Sequence, residues 1–174
     1  MSTNLSPSDV ATILRLHNDF RAANGIGPLQ WSDTVSTQAV EWATHSATFP
    51  QCVDTVSPHG GYGPYGQNLA WCFGGAGFPI GSLYGVDALV NSWNAEAIPT
   101  IPVGSGPNSY NHASQVLWGA TTSVGCARGY GDGCEMLVCE YDPPGNMESE
   151  LTIYCTPKMG LMADGARLQV HQGN

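Results

Sequence analysis

The sequence is poor in basic residues. Only 5 of its 174 residues are Lys or Arg, against 14 that are Asp or Glu, and the formal net charge is −9. Proteins bind phosphate backbones and anionic membranes mainly through clustered Lys and Arg side chains. We therefore expect no nucleic-acid partner and no acidic membrane surface for the protein as a whole.

Long apolar runs are also missing. No stretch of 18 apolar residues occurs, so we expect no membrane span. No basic segment followed by an apolar stretch precedes Ser2, and we interpret the chain as the mature form of a secreted protein with an added Met1, without its signal peptide. A hydrophobic fraction of 42% with 11% charged residues is typical of one globular domain at this length.

The common hydrolase motifs are absent. The sequence contains neither the G-x-S-x-G motif of a serine nucleophile nor the H-E-x-x-H motif of a zinc peptidase. Ser114 lies two residues after His112, but this proximity in sequence alone does not define a nucleophile and its base. The sequence therefore does not indicate an enzyme directly.

Cysteine is present in an even number without the C-x-x-C spacing of zinc sites, which favours disulfides and hence an extracellular location. The six are Cys52, Cys72, Cys126, Cys134, Cys139 and Cys155. Sequence alone leaves their pairing open.

Apolar residues at helical spacing predict three helices. The first begins with the cap signal Ser6-Pro7-Ser8-Asp9 and ends at Asn24-Gly25, the second runs from Ser32-Asp33 to about Ala47, and the third spans roughly Val86 to Ala97. A further helical turn at His112–Trp118 would place His112 and Gln115 on one face.

The remaining segments combine loops with strands, which gives an α+β protein. Residues 48–66 are predicted to form a loop that contains His59, and residues 66–72 a strand or a turn. Strand patterns follow between Cys126 and Cys139 and again at Leu151–Cys155.

Seven motifs, in order along about residues 5–146, resemble those of the CAP superfamily, which contains cysteine-rich secretory proteins, insect antigen 5 allergens and plant pathogenesis-related class 1 proteins. They are Leu14-x-x-His17-Asn18-x-x-Arg21, Pro28-Leu29-x-Trp31, Gly66-Gln67-Asn68-Leu69-Ala70, Trp93-x-x-Glu96, His112-x-x-Gln115-x-x-Trp118, Gly125-Cys126 and Cys139-x-Tyr141-x-Pro143-Pro144-Gly145-Asn146. The resemblance implies a three-layer α-β-α sandwich, which we assign to a single domain at residues 5–155 with a C-terminal extension at 156–174.

The resemblance also implies a cleft lined by four residues, His59, Gln67, Glu96 and His112. Of these, His59, Glu96 and His112 would bind a divalent cation such as Zn²⁺ or Mg²⁺. The family usually has Glu where this chain has Gln67, and an amide oxygen is a poorer ligand, so metal binding is expected to be weakened. His45 competes with His59 for its place in the cleft.

Structural roles compete with functional ones at several of these positions. Glu96 and His112 could be a hydrogen-bonded pair that closes the cleft, since buried polar groups need partners whatever the function. We expect His17 and Asn18 to satisfy backbone groups of neighbouring loops, and Arg21 to hold a helix end.

By the same resemblance, the cysteines would pair as Cys52 with Cys134, Cys126 with Cys139, and Cys72 with Cys155. The first and last bonds would each close a loop of about 80 residues and stabilise the fold by roughly 4 to 5 kcal/mol in the chain-entropy model.

An aromatic segment, Trp71-x-Phe73-x-x-x-x-Phe78, has the spacing of a caveolin-binding type of motif. Sterol-binding members of the superfamily use an aromatic loop of this kind, which implies a sterol or other small lipid as ligand. The glycines between Phe73 and Phe78 would permit a mobile flap. Trp71 could instead be a core residue.

We therefore predict a secreted, non-enzymatic binder of a sterol or other lipid, with a role in defence or pathogenesis. One alternative is a metal-dependent hydrolase or peptidase that activates water at His59, Glu96 and His112. Another is a signalling or defence protein that acts through a protein receptor.

Overall fold

The computed structural model describes residues 2–60, 63–74, 84–96 and 110–146. Its elements follow in the order α1 (Pro7–Ala23), β1 (Gln30–Trp31), α2 (Asp33–Ser46), a 3-10 turn (Pro50–Cys52), β2 (Gly66–Phe73), α3 (Val86–Asn94), α4 (His112–Val116), β3 (Ser123–Gly131) and β4 (Cys134–Asp142). The third helix ends at Asn94, before the predicted end at Ala97, and the predicted strand at 151–155 and the extension at 156–174 lie outside the described residues. None of the described helices has the length and apolarity that crossing a bilayer requires.

The helices begin at the residues that the sequence predicts. The Ser6 hydroxyl accepts a hydrogen bond from the Asp9 backbone N–H, and the Asp9 carboxylate accepts one from the Ser6 N–H at 2.9 Å. This reciprocal pair is a capping box, which satisfies N–H groups that have no partner inside the helix. Ser32 caps α2 through its hydroxyl, which accepts from the Val35 N–H. The predicted starts of α1 and α2 are therefore confirmed.

The four strands in the described part of the chain form one sheet in the order β1-β3-β4-β2. β1 pairs with β3 in parallel, and the other neighbours are antiparallel. β3 and β4 form a hairpin whose two-residue turn is Asp132-Gly133, with Gly133 at a φ of 68°. Asp-Gly favours this turn because glycine tolerates positive φ. The sequence analysis predicted strand structure between Cys126 and Cys139 but did not separate the two strands.

Helices cover both faces of the sheet. Side chains from one face pack with α1 and α3, and those from the other face pack with α2. The first core contains Ile13, Ala70, Leu89, Val90, Trp93, Val124, Cys126, Leu137, Cys139 and Tyr141, and the second contains Ala39, Val40, Trp42, Ala43, Leu69, Trp71, Ala127, Met136 and Val138. The expected three-layer α-β-α sandwich is thus confirmed.

Two glycines of β3 allow α2 to lie directly on the strand. A Cβ at Gly125 would overlap backbone atoms of Ser32 and Ser36, and a Cβ at Gly129 would overlap the Ala43 carbonyl. Any larger residue at either position would push the helix away from the sheet. The two layers are therefore in backbone contact along this seam.

Two disulfides form the pairs that the family resemblance implies. Cys52–Cys134 connects the 3-10 turn to the start of β4, and Cys126–Cys139 connects β3 to β4. Cys72 is a buried thiol, and its expected partner, Cys155, lies outside the described residues. Burial, with a smaller contribution from the nearby Glu135, raises the pKa of the Cys72 thiol to about 11.

His17 lies in a buried polar chain that connects α1 to the sheet. Its Nδ1 is 2.8 Å from the Ile13 carbonyl oxygen, so Nδ1 carries the proton, and Nε2 accepts from the Tyr141 hydroxyl at 2.8 Å. The Tyr141 oxygen in turn accepts from Asn68 Nδ2 at 3.1 Å. Burial lowers the pKa of His17 to about 4, so the ring is neutral at physiological pH.

Arg21 stabilises the chain around α4. Its guanidinium is buried and donates to the carbonyl oxygens of Gly27 (2.6 Å), Val116 (2.8 Å), Trp118 (2.9 Å) and Thr121 (3.0 Å). Three of these carbonyls lie at or just after the end of α4, where backbone oxygens lack helical partners. The expectation that Arg21 holds a helix end is confirmed.

Candidate functional site

The first half of the candidate site is the pair formed by Glu96 and His112. Glu96 Oε1 lies 2.7 Å from His112 Nδ1, and Glu96 Oε2 accepts from the His112 backbone N–H at 2.9 Å. Oε2 also accepts from the Ala113 N–H at 3.4 Å. Because α4 begins at His112, the carboxylate satisfies N–H groups at the start of this helix as well as orienting the imidazole. Glu96 and His112 are therefore a hydrogen-bonded pair, which is the structural role considered for them.

The second half joins His59, Gln67 and Glu140. Gln67 and Glu140 lie directly opposite each other on β2 and β4. Gln67 Nε2 donates to Glu140 Oε1 at 2.7 Å and to the Gly60 carbonyl at 3.2 Å, while Gln67 Oε1 lies 2.9 Å from His59 Nδ1. A continuous hydrogen-bonded chain thus runs from β4 through β2 to the loop that contains His59.

Glu140 is the member of this group that the sequence analysis did not assign to the cleft. It occupies the unspecified position of the Cys139-x-Tyr141 motif, and its side chain is fully buried. Burial raises the pKa of the Glu140 carboxyl to about 9, although the hydrogen bond from Gln67 opposes this rise. A charged residue inside a buried strand was the signal that could have identified it.

Strand β2 contacts both halves. Asn68, the residue after Gln67, donates from Nδ2 to the His112 carbonyl at 3.2 Å. The four residues predicted for the cleft therefore form two hydrogen-bonded groups, His59 with Gln67 and Glu96 with His112. The first group includes residue 67 of β2, and the second contacts residue 68 of the same strand. Their assignment as a binding cleft stays a prediction.

His45, the competitor of His59, has contacts of its own on the α2 side. Its Nε2 lies 3.2 Å from Asp54 Oδ2, and its ring stacks on Trp42 with 4.6 Å between centroids. Hydrogen bonds from backbone N–H groups and from His45 lower the pKa of Asp54. His45 thus stabilises the start of the loop, while His59 is the histidine that contacts Gln67.

The fit of these residues to a divalent cation is poor. Over residues 2–60, 63–74, 84–96 and 110–146, no three His, Cys, Asp or Glu side chains are grouped so that they could hold a metal ion. His59 Nδ1 contacts Gln67, and His112 Nδ1 contacts Glu96, so neither of these two nitrogens could bind a metal ion without losing its present contact. The predicted cation at His59, Glu96 and His112 stays a prediction.

The aromatic segment divides into a buried and an exposed part. Trp71 is 7% exposed and packs in the core beneath α2, as the structural alternative for this residue requires. Phe73, at the end of β2, is 51% exposed. Phe78 lies outside the described residues.

The polar residues of α4 organise the segment after β4. The Ser114 hydroxyl accepts from the Asn111 N–H at 2.9 Å and lies 2.7 Å from Asn146 Oδ1, to which it donates. Gln115 Oε1 accepts from the Gly145 N–H at 2.9 Å. Ser114 therefore serves as part of a helix cap, and Gln115 holds a loop.

Comparison with known proteins agrees with this architecture. Residues 14–141 match the family model described as CAP, the cysteine-rich secretory protein family. The chain is 36% identical over 147 residues to pathogenesis-related protein 1 of Arabidopsis thaliana. This match covers 83% of this chain and 81% of that protein. It is 35% identical over 149 residues to pathogenesis-related protein PRMS of Zea mays, covering 82% and 79%.

A solved structure shows the same fold at lower identity. The crystal structure of NaASP2 with Zn²⁺ matches with a TM-score of 0.63 and 18% identity, and the match covers 82% of this chain and 83% of that one. Since a family model and full-length relatives agree, the chain belongs to the CAP family. The two relatives named above are pathogenesis-related proteins.

Proposed function

We propose that this CAP protein is secreted, has a role in defence or pathogenesis, and acts by binding a small lipid or sterol rather than by catalysis. The names of its relatives support the defence role. The two disulfides support an oxidising, extracellular compartment.

The observation that carries the lipid proposal is the exposure of Phe73. The large hydrophobic side chains that are exposed in the described part of the chain are Val56 and Phe73. Phe73 lies on the same face of β2 as Trp71 but nearer the end of the strand, where it remains half exposed. An aromatic ring at the rim of the sandwich, followed by a glycine-rich sequence, suits contact with an apolar ligand.

The test is a titration of the protein with labelled cholesterol and with a labelled fatty acid. We expect saturable binding, and we expect Phe73→Ala to weaken it about fivefold, because the exposed half of a Phe side chain contributes about 1 kcal/mol on burial. Phe73→Ala combined with Phe78→Ala should weaken it further. Val56→Ala is the matched control, because Val56 is 93% exposed and lies in the loop before β2. Absence of saturable binding, or full binding by the double variant, would refute the proposal.

A second candidate is the metal-dependent hydrolase or peptidase. The observation that favours it is the 2.7 Å contact between Glu96 and His112, since a carboxylate that orients an imidazole is a common element of acid-base sites. We assign no step to a metal. Turnover of a peptide or ester library in the presence of Zn²⁺, abolished by His112→Ala, would support this candidate over binding alone.

A protein receptor is the remaining partner that we predict. A pull-down with the purified protein that depends on neither Phe73 nor added lipid would favour it. The Phe73→Ala variant thus distinguishes the two partners, because it should weaken lipid binding and leave receptor binding unchanged.

A further inference from the structure

A buried ion pair lies on the sheet near the turn between β3 and β4. Arg128 of β3 is 6% exposed and Glu135 of β4 is 1% exposed, and Arg128 Nη2 donates to Glu135 Oε2 at 2.5 Å. The guanidinium carbon also lies 5.3 Å from the centre of the Tyr130 ring. A buried ion pair often stabilises a fold no more than apolar side chains of the same volume would. The other contacts of Arg128 therefore matter more for its role than the ion pair itself.

The hairpin formed by β3 and β4 holds the chain at two points outside the hairpin. Arg128 Nη2 donates to the Tyr84 carbonyl oxygen at 2.8 Å. The carbonyl oxygen of Gly133, in the turn, accepts from the Gly74 N–H at 2.9 Å. Gly74 directly follows Phe73 at the end of β2, and Tyr84 packs against the core just before α3. The chain that leaves β2 and the chain that enters α3 are thus bound to the same hairpin.

These two contacts depend on different parts of the hairpin. Gly74 and Gly133 continue the backbone register of β2 and β4, so their hydrogen bond needs no side chain. The contact at Tyr84 depends on the Arg128 guanidinium, which in the described part of the chain donates its hydrogen bonds through Nη2, while its buried Nε has no partner there. Glu135 therefore orients the group that holds Tyr84.

We propose that Arg128 is a positioning residue for the lipid site at Phe73: oriented by Glu135, it holds Tyr84 beside the hairpin and so fixes where the chain returns after β2. This inference rests on the lipid binding proposed above. Phe73 projects to the sheet face that α2 covers, as Trp71 does, whereas Arg128 projects to the face that α1 and α3 cover. Arg128 therefore acts on the site through the backbone and not by touching the ligand.

Binding at both ends limits the conformations of the connection between β2 and α3. A ligand that contacts Phe73 then orders less of the chain when it binds, which lowers the entropic cost of binding. Loss of one hydrogen bond from a charged donor should change the ratio of held to released Tyr84 about tenfold. The affinity falls only in proportion to the held fraction, so we expect a smaller change in Kd than in that ratio.

The first test needs no ligand. Chymotrypsin cleaves after aromatic residues, so the cleavage rate at the Tyr84–Gly85 bond measures how often this end is released. We expect Arg128→Met to raise this rate about tenfold relative to cleavage at Trp118–Gly119, which reports opening elsewhere in the fold. Glu135→Gln, which keeps an oxygen for Nη2, should raise it less. Equal rates at Tyr84–Gly85 in wild-type protein and folded Arg128→Met would overturn the proposal.

The second test is the titration with labelled cholesterol and a labelled fatty acid. Arg128→Met should raise Kd about threefold. Arg21→Met is the matched control, because it also removes a buried guanidinium from backbone carbonyl oxygens, but at the end of α4, and it should leave Kd unchanged. An equal rise in both variants, or no rise in Arg128→Met, would show that Arg128 does not position the site.

The two tests separate this inference from the proposed function. If the wild-type protein binds neither lipid, the proposed function fails and the positioning role fails with it, while the cleavage rates still decide whether Arg128 holds Tyr84. If Arg128→Met does not fold, its combination with Glu135→Met leaves neither charge of the pair unpaired and provides the second perturbation. This double variant should show the same faster cleavage and the same weaker binding, and wild-type values for both would overturn the proposal.

Discussion

Replacing Arg21 by Met should lower the free energy of unfolding more than most single substitutions do, because Arg21 donates to four backbone carbonyl oxygens. Met keeps most of the aliphatic volume but removes the donors to four carbonyl oxygens, and the hydrogen bonds to three of them are buried. A buried acceptor left without a donor costs about 1 to 3 kcal/mol, and water entering the site would recover part of the total. We therefore expect a loss of about 3 to 5 kcal/mol in the free energy of unfolding, a large part of the usual stability of a domain.

Urea unfolding with intact disulfides measures this loss. With a slope of about 2 kcal/mol per molar, the midpoint should fall by about 2 M. Amide hydrogen exchange should also accelerate at residues 116–121, where three of the carbonyls lie. Arg15→Met is the matched control, because Arg15 lies on the same helix and forms an exposed ion pair with Asp19. Its effect should stay within about 0.5 kcal/mol. A loss below about 1 kcal/mol for Arg21→Met would contradict the structural role assigned here.

Two further predictions concern stability. Burial lowers the pKa of His17 from 6.5 to about 4, so between these pH values the unfolded chain binds more protons at this residue than the folded protein does. The free energy of unfolding should therefore fall as the pH drops through this window, by at most about 3 kcal/mol, and His17→Gln should flatten the dependence in urea titrations. Removing the Cys52–Cys134 disulfide as a double Ala variant should cost about 4 to 5 kcal/mol, against about 3 kcal/mol for Cys126–Cys139, because the two bonds close loops of very different length, with sequence separations of 82 and 13.

Each of these two stability predictions would be contradicted by a specific result. A pH dependence between 6.5 and 4 that is the same in wild-type protein and His17→Gln would show that other groups control acid stability. For the disulfides, equal losses in the two double variants, measured by the same urea assay, would show that loop length does not determine their contributions.

Local signals in the sequence predicted the helices well. The Ser6 and Ser32 caps depend on residues three positions away at most, so the sequence pattern contains the whole interaction. The Asp132-Gly133 turn is equally local, and its signal was present but not used. The position of the hairpin was therefore predictable from the chain alone.

The candidate site was only partly predictable, for a different reason. The pairing of Gln67 with Glu140 joins residues 73 positions apart, and it depends on the register between β2 and β4, which no local pattern specifies. The family resemblance assigned Gln67 to the cleft, at a position where the family usually has Glu. The structure places a carboxyl directly beside it, on the neighbouring strand.

The close contact between α2 and β3 limits where a ligand could bind between the layers of this sandwich. The two backbones touch at Gly125 and Gly129, so no interlayer space exists there for an apolar tail. Among the described strands, β2 lies at the opposite edge of the sheet from β1, away from this contact with α2. Insertions or deletions in the loop before β2 would therefore leave the close contact between α2 and β3 at the two glycines unchanged.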